Sequence, residues 1–200
     1  MQMRIPAILT VLAGVLAAAT LPGCVPVIAT GMSAGALMAA DRRTTGIYVE
    51  DEAIELKTNS RIDDKFKDMH FDVTSYNRHV LLVGEAPSEQ AKQEITAIAN
   101  SVENVRSVTN EMQVAGSNSF TARANDALIT SKVKSRFVSQ ADNRFAPNHV
   151  KVVTENGVVY LMGIVTEAEA DAAVEIARST SGVQRVVKVF EYRGQAAAGQ

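Results

Sequence analysis

Tryptophan is absent from this chain, and it has a single cysteine, Cys24. One thiol excludes an intramolecular disulfide, a Cys/His metal cluster and a thioredoxin-like redox pair. Aromatic residues make up only 5 % of the 200 residues, so a core has to be built from Val, Ile, Leu and Ala. Neither sign of charge dominates. Lys and Arg number 20 against 22 Asp and Glu, a formal net charge of −2. That balance gives no whole-molecule attraction to nucleic acid or to an anionic membrane, and any such binding has to come from a local basic patch. Catalytic motifs are also missing: there is no GxSxG, P-loop or Rossmann pattern. The three histidines, His70, His79 and His149, have no metal-ligand spacing. The paired acids Glu167 and Glu169 are accounted for by helix capping. No catalytic residue, metal or cofactor is expected, and the chain reads as a non-enzyme.

The N-terminal stretch reads as a targeting segment. Arg4 is its only charge before Asp41, and residues 5–21 are an apolar run of Ile, Leu, Val and Ala. An apolar stretch closed by small residues is the pattern of a secretory signal. Here it closes on Leu21-Pro22-Gly23-Cys24, which resembles the bacterial lipobox, with Pro22 unusual at the middle position. A thiol at the cleavage point can carry diacylglycerol, and the new amine can carry a third acyl chain such as palmitate. The competing reading is a membrane-spanning helix, which needs about 20 apolar residues. The run falls at the short limit, and Pro22, Gly23 and Pro26 break its continuation. Residues 1–23 are therefore expected to be a signal peptide. Residues 24–46 are expected to be a tether lipidated at Cys24, ended by Asp41-Arg42-Arg43.

The remainder repeats itself. His70-Phe71-Asp72-Val73-Thr74-Ser75-Tyr76-Asn77-Arg78-His79-Val80-Leu81-Leu82-Val83-Gly84 aligns without a gap on His149-Val150-Lys151-Val152-Val153-Thr154-Glu155-Asn156-Gly157-Val158-Val159-Tyr160-Leu161-Met162-Gly163. Each copy has a strand, a polar turn, a second strand and a glycine. Asn156-Gly157 is a strong type I′ hairpin pair, and Asn77-Arg78 holds the same place with weaker turn chemistry. Helical spacing follows each glycine. The first such helix starts after Pro87-Ser88-Glu89, and the second has the capping box Thr166-Glu167-Ala168-Glu169. Third strands are expected over 105–114 and 183–192. Upstream of each hairpin lies another amphipathic helix, about 52–66 and 125–139. The predicted fold class is α+β: two tandem αββαβ modules, each a three-stranded sheet covered by two helices. The expected divisions are module one over 47–115, a linker over 116–123, module two over 124–193 and a tail over 194–200.

Val80-Leu81-Leu82-Val83-Gly84, Asn125-Asp126-Ala127-Leu128-Ile129-Thr130-Ser131-Lys132-Val133, the 150–163 hairpin and Ser181-Gly182-Val183-Gln184-Arg185-Val186, in this order of elements, resemble the BON-domain family of bacterial envelope proteins. With the lipobox, the whole chain is similar to the dual BON-domain lipoproteins of the Gram-negative outer membrane. The resemblance implies a lipid-anchored outer-membrane protein facing the periplasm. It also implies binding of anionic phospholipid such as phosphatidylglycerol by the second module, enrichment at the division site and support of envelope integrity. Val25 after the cysteine resembles the signal that sends lipoproteins to the outer membrane.

The candidate lipid site is the first helix of module two. Leu128, Ile129, Val133, Phe137 and Val138 are its apolar positions, and Lys132, Lys134 and Arg136 flank them, with Arg123 and Arg144 near the ends. An apolar edge with cationic flanks suits shallow insertion beside lipid phosphates. The competing use of the same stripe is to cover the sheet, which is what amphipathic helices usually do and what residue spacing alone favours. The matching helix of module one carries Glu50, Asp51, Glu52, Glu55, Asp63 and Asp64, a set that anionic lipid would repel. For module one a role as adaptor for envelope assembly proteins is the alternative. No nucleic-acid partner is expected.

Overall fold

The computed structural model describes residues 41–114, 120–140 and 146–193, all within one compact unit. Cys24, the signal segment and Arg144 lie outside the described residues. The first module runs α1 (Thr45–Lys65), β1 (Phe71–Tyr76), β2 (His79–Ala86), α2 (Glu89–Asn100), β3 (Ser107–Asn110) and β4 (Gln113–Val114). The second runs α3 (Phe120–Ser139), a 3₁₀ turn (Pro147–His149), β5 (Val150–Glu155), β6 (Val158–Val165), α4 (Glu167–Arg178) and β7 (Arg185–Tyr192). The expected α+β repeat is present in both copies.

Three expectations change in detail, one being helix α3, which starts at Phe120 and not near residue 125. Helix α1 starts at Thr45, not near residue 52, because Thr44 caps it by accepting from Ile47 N–H. The third strand of module one is split. β3 and β4 each pair parallel with β2, and between them Met112 turns into the core. The first sheet therefore has four strands, and the second has three in the order β5-β6-β7.

Local chemistry explains the remaining boundaries. Ser88 caps α2, and Thr166 with Glu169 forms a complete capping box on α4, satisfying N–H groups that a helix start leaves without partners. Both hairpin turns have two residues at positive φ: Asn77 and Arg78 in one, Asn156 and Gly157 in the other. That is the type I′ geometry, whose twist matches the strands. Gly84 and Gly163 permit a close approach of chain to chain. A Cβ at either would lie 2.4 or 2.3 Å from the carbonyl oxygen of His70 or His149.

Strand alternation sorts the core into three clusters. Val80, Leu82 and Ala86 face α1 and α2 with Ile54, Ile62 and Ile95. Val159, Leu161 and Val165 face α3 and α4 with Ile129, Val133 and Phe137. The opposite faces of the two sheets meet each other: Tyr76, Leu81 and Val83 pack with Val153, Val158, Tyr160, Met162 and Val189. The described residues thus form helices, sheet, sheet, helices in layers. Each buried Val or Leu in the middle layer contributes roughly 1.5–3 kcal/mol relative to exposure.

Candidate functional site

Helix α3 presents two faces. Ile129, Val133 and Phe137 are 1 %, 0 % and 1 % exposed and belong to the core of module two. Leu128 and Val138 are 60 % and 69 % exposed, and Lys132 and Lys134 are exposed with them. At about 100° per residue, 129, 133 and 137 line up one above another, and Leu128 and Val138 fall on the outer face about 80° apart. The single stripe expected from sequence is therefore two. Ile129, Val133 and Phe137 cover the sheet and reach no lipid unless the module opens. Leu128 and Val138, with Ser131 and Ser135 between them, form the outer edge. A shallow cleft of about 460 Å³ runs beside this edge, bordered by Leu128, Lys132, Arg136 and Ser181.

Arg136 is otherwise engaged. Its guanidinium donates to Ile176 O (3.1 Å) and Thr180 Oγ1 (2.9 Å). It thereby satisfies a carbonyl in the last turn of α4, where positive charge is favoured. Lys132 and Lys134 are exposed on the flanks of the candidate face, and Arg123, near the start of α3, is exposed beside a different cavity, the one bordered by His70 and Glu155.

The acidic helix of module one also divides. Asp51 is 2 % exposed, not part of a repelling surface. Its carboxylate accepts from Ser75 Oγ (2.7 Å), Asn77 N (2.8 Å) and Arg78 N (2.7 Å), and pairs with Arg43 Nη1 (2.8 Å). Asp126 on α3 does the same for the other hairpin, accepting from Asn156 N (2.9 Å) and Gly157 N (2.8 Å). Each module thus clamps its hairpin turn with an aspartate from its first helix. Glu55 accepts from Ser75 N–H and from Lys151 of the second module, at 2.7 and 2.8 Å.

The end of the expected tether is docked. Arg42 bonds Ile164 O (2.6 Å) and both carboxylate oxygens of Glu169 (2.6 and 2.8 Å). These hydrogen bonds hold the Glu169 carboxyl down at about 2. Arg43 lies over the Tyr76 ring at 4.1 Å, a cation–π contact. Burial first, then the Asp41 carboxylate, pushes the Tyr76 phenol up to about 12. Arg42 thus holds module two while Arg43 holds module one. Among the described residues no helix is long and apolar enough to cross a membrane.

The BON domain model matches residues 50–116 and 125–194, the two halves of this layered fold. This chain belongs to the BON-domain family. It is a dual BON-domain protein of the DolP type. It is 40 % identical to the outer membrane lipoprotein DolP of Haemophilus influenzae, over 86 % of this chain and 90 % of that one. It is 36 % identical to the 21 kDa hemolysin of Actinobacillus pleuropneumoniae, over 76 % and 79 % of the two chains. To the osmotically-inducible protein Y of Escherichia coli it is 32 % identical, over 78 % and 80 %. The tandem BON arrangement expected from the internal repeat is what these matches show.

Proposed function

We propose that this chain is a non-catalytic outer-membrane lipoprotein, attached through lipid on Cys24 and facing the periplasm. In this reading the second BON domain meets anionic phospholipid with the outer face of α3. Similarity to the Haemophilus influenzae lipoprotein supports the location. The observation that carries the lipid reading is the exposure of Leu128 and Val138 on one helix face beside Lys132 and Lys134. Aliphatic side chains insert among acyl chains while near-surface lysines add about 1 kcal/mol each toward anionic headgroups. With Cys24 already holding the protein at the bilayer, this face selects the lipid patch, and enrichment at the division site and support of envelope integrity follow from that selection.

The test is flotation of the soluble chain lacking residues 1–24 with phosphatidylglycerol vesicles. Leu128→Glu with Val138→Glu should abolish binding and leave the melting temperature unchanged, because both side chains are exposed. Vesicle binding by the folded double variant at the wild-type level would refute the reading. Phe137→Glu is not a test, because it places a charge in the core.

A second reading rests on α1, where Val49 and Leu56 are 60 % and 71 % exposed. Seven residues apart, they share one face of the helix. This face suits a protein partner in envelope assembly.

A further inference from the structure

His70, Glu85 and Glu155 come together where the two domains meet. His70 precedes β1, Glu85 lies near the end of β2, and Glu155 ends β5 in the other domain. An imidazole nitrogen and one carboxylate oxygen from each glutamate lie within 4.8 Å of one another. His70 Nε2 and Glu155 Oε2 are 3.4 Å apart. Glu85 is only 3 % exposed. Its Oε1 accepts from Asn156 Nδ2 at 3.1 Å. Its Oε2 is buried and has no hydrogen-bond partner among the described residues. A buried carboxylate oxygen left in this state is costly, and a second carboxylate beside it adds repulsion. Lys151, on the same strand as Glu155, is engaged by Glu55.

The repeat provides an internal comparison. Strand register matches His149, Ile164 and Tyr76 with His70, Glu85 and Glu155 of the opposite copies. At that other junction the chain supplies its own cations: Arg42 donates to Ile164 O and Glu169, and Arg43 lies over Tyr76. At the His70 junction the chain brings one imidazole and two carboxylates within 4.8 Å of one another, with Arg123 and Lys151 on the wall of the adjoining cavity.

We propose that His70, Glu85 and Glu155 bind a divalent transition-metal ion, Zn²⁺ by their chemistry, that ties the first BON domain to the second. One nitrogen and two carboxylate oxygens supply three ligands of a four-coordinate ion, with water as the fourth. The imidazole disfavours Mg²⁺ and Ca²⁺, which take all-oxygen sets. Zn²⁺ bonds of about 2.0–2.2 Å bring ligand atoms to roughly 3.4 Å from one another. His70 and Glu155 already stand at that separation, so Glu85 makes the remaining adjustment from within 4.8 Å. Asn156 orients Glu85 as an outer-shell partner. A cavity of about 500 Å³, bordered by His70 and Glu155, gives the ion an entry path.

The experiment uses the full lipidated chain in detergent, stripped with chelator and titrated with ZnCl₂ by calorimetry. One ion per chain is expected. At a hundredfold excess over Kd the melting temperature should rise by on the order of 5 °C. Glu85→Gln and His70→Gln should each weaken Zn²⁺ affinity at least tenfold and remove the thermal shift. His79→Gln should change neither. Co²⁺ should give the intense visible absorption of a four-coordinate ion in the wild-type chain, which tests the site even if a variant misfolds. Substoichiometric Zn²⁺, binding that survives both ligand variants, or an absent Co²⁺ band would overturn the proposal. The outcome is independent of vesicle binding by α3.

Discussion

Replacing Asp51 with Asn is the most demanding perturbation of the fold. Its carboxylate receives four donors: the Ser75 hydroxyl, the Asn77 and Arg78 amides, and the Arg43 guanidinium. Asparagine keeps one acceptor oxygen and turns an NH₂ toward groups that are themselves donors. At least two charge-assisted bonds are lost, at about 1.5–3 kcal/mol each. Arg43, only 7 % exposed in its side chain, loses part of its counter-charge, and breaking a buried pair from one side costs about 3–5 kcal/mol. These losses overlap, so the expected destabilisation is about 4 kcal/mol, or about 10 °C in melting temperature at this chain length. Asp126→Asn is the internal control. Asp126 holds two amides of a turn that already has a glycine, and the expected loss is about 2 kcal/mol. Urea unfolding followed by circular dichroism measures both. The reasoning fails if Asp51→Asn costs less than about 1 kcal/mol or no more than Asp126→Asn does.

Arg78→Gly should stabilise the protein by about 1 kcal/mol. Arg78 sits at φ 65°, where a side chain is strained, and its half-buried contact with Glu50, at 3.6 Å, is too long for a hydrogen bond that would offset the relief; a lower urea midpoint would contradict this. Glu169→Gln keeps the capping box but loses the charge that Arg42 grips. Because the folded carboxyl is held near 2, below its usual value of 4.5, its contribution is complete above about pH 4.5 and disappears as pH falls toward 2. The stability gap between wild type and Glu169→Gln should therefore close over that window, and a gap unchanged from pH 7 to pH 2 would show that the Arg42 pair contributes nothing.

The fold was legible because local rules and the repeat agree. The 70–84 and 149–163 segments share turn positions and closing glycines, and Ser88 and Thr166 cap the helices that follow. The packing of sheet on sheet also had a signal. Val80-Leu81-Leu82-Val83 and Val158-Val159-Tyr160-Leu161-Met162 are unbroken apolar runs, the pattern of strands covered on both faces, where one-sided sheets alternate apolar and polar residues. The α3 face was harder to read. Leu128 and Ile129 are adjacent and both apolar, and only the four-residue spacing of 129, 133 and 137 assigns one to the core and the other to the surface. The roles of Arg42, Arg43, Asp51 and Asp126 depend on contacts between distant segments, and no pattern along the chain announces them. The same holds for His70, Glu85 and Glu155, whose spacing resembles no metal motif because their strands belong to different domains.

The middle layer constrains how such a protein can be divided. The face that carries Tyr76, Leu81 and Val83 needs a cover, and so does the face that carries Val153, Tyr160 and Met162. A chain with a single module has the same surface to hide. Pairing with its own copy is the symmetric solution, and an isologous pair has two identical edges by construction. Placing the modules in one polypeptide removes that identity. One edge has recruited Arg42 and Arg43 from outside the repeat, and the other has gathered acids and an imidazole. Duplication followed by fusion turns one self-complementary contact into two that can be tuned separately, so a mutation at one edge has no obligatory twin at the other.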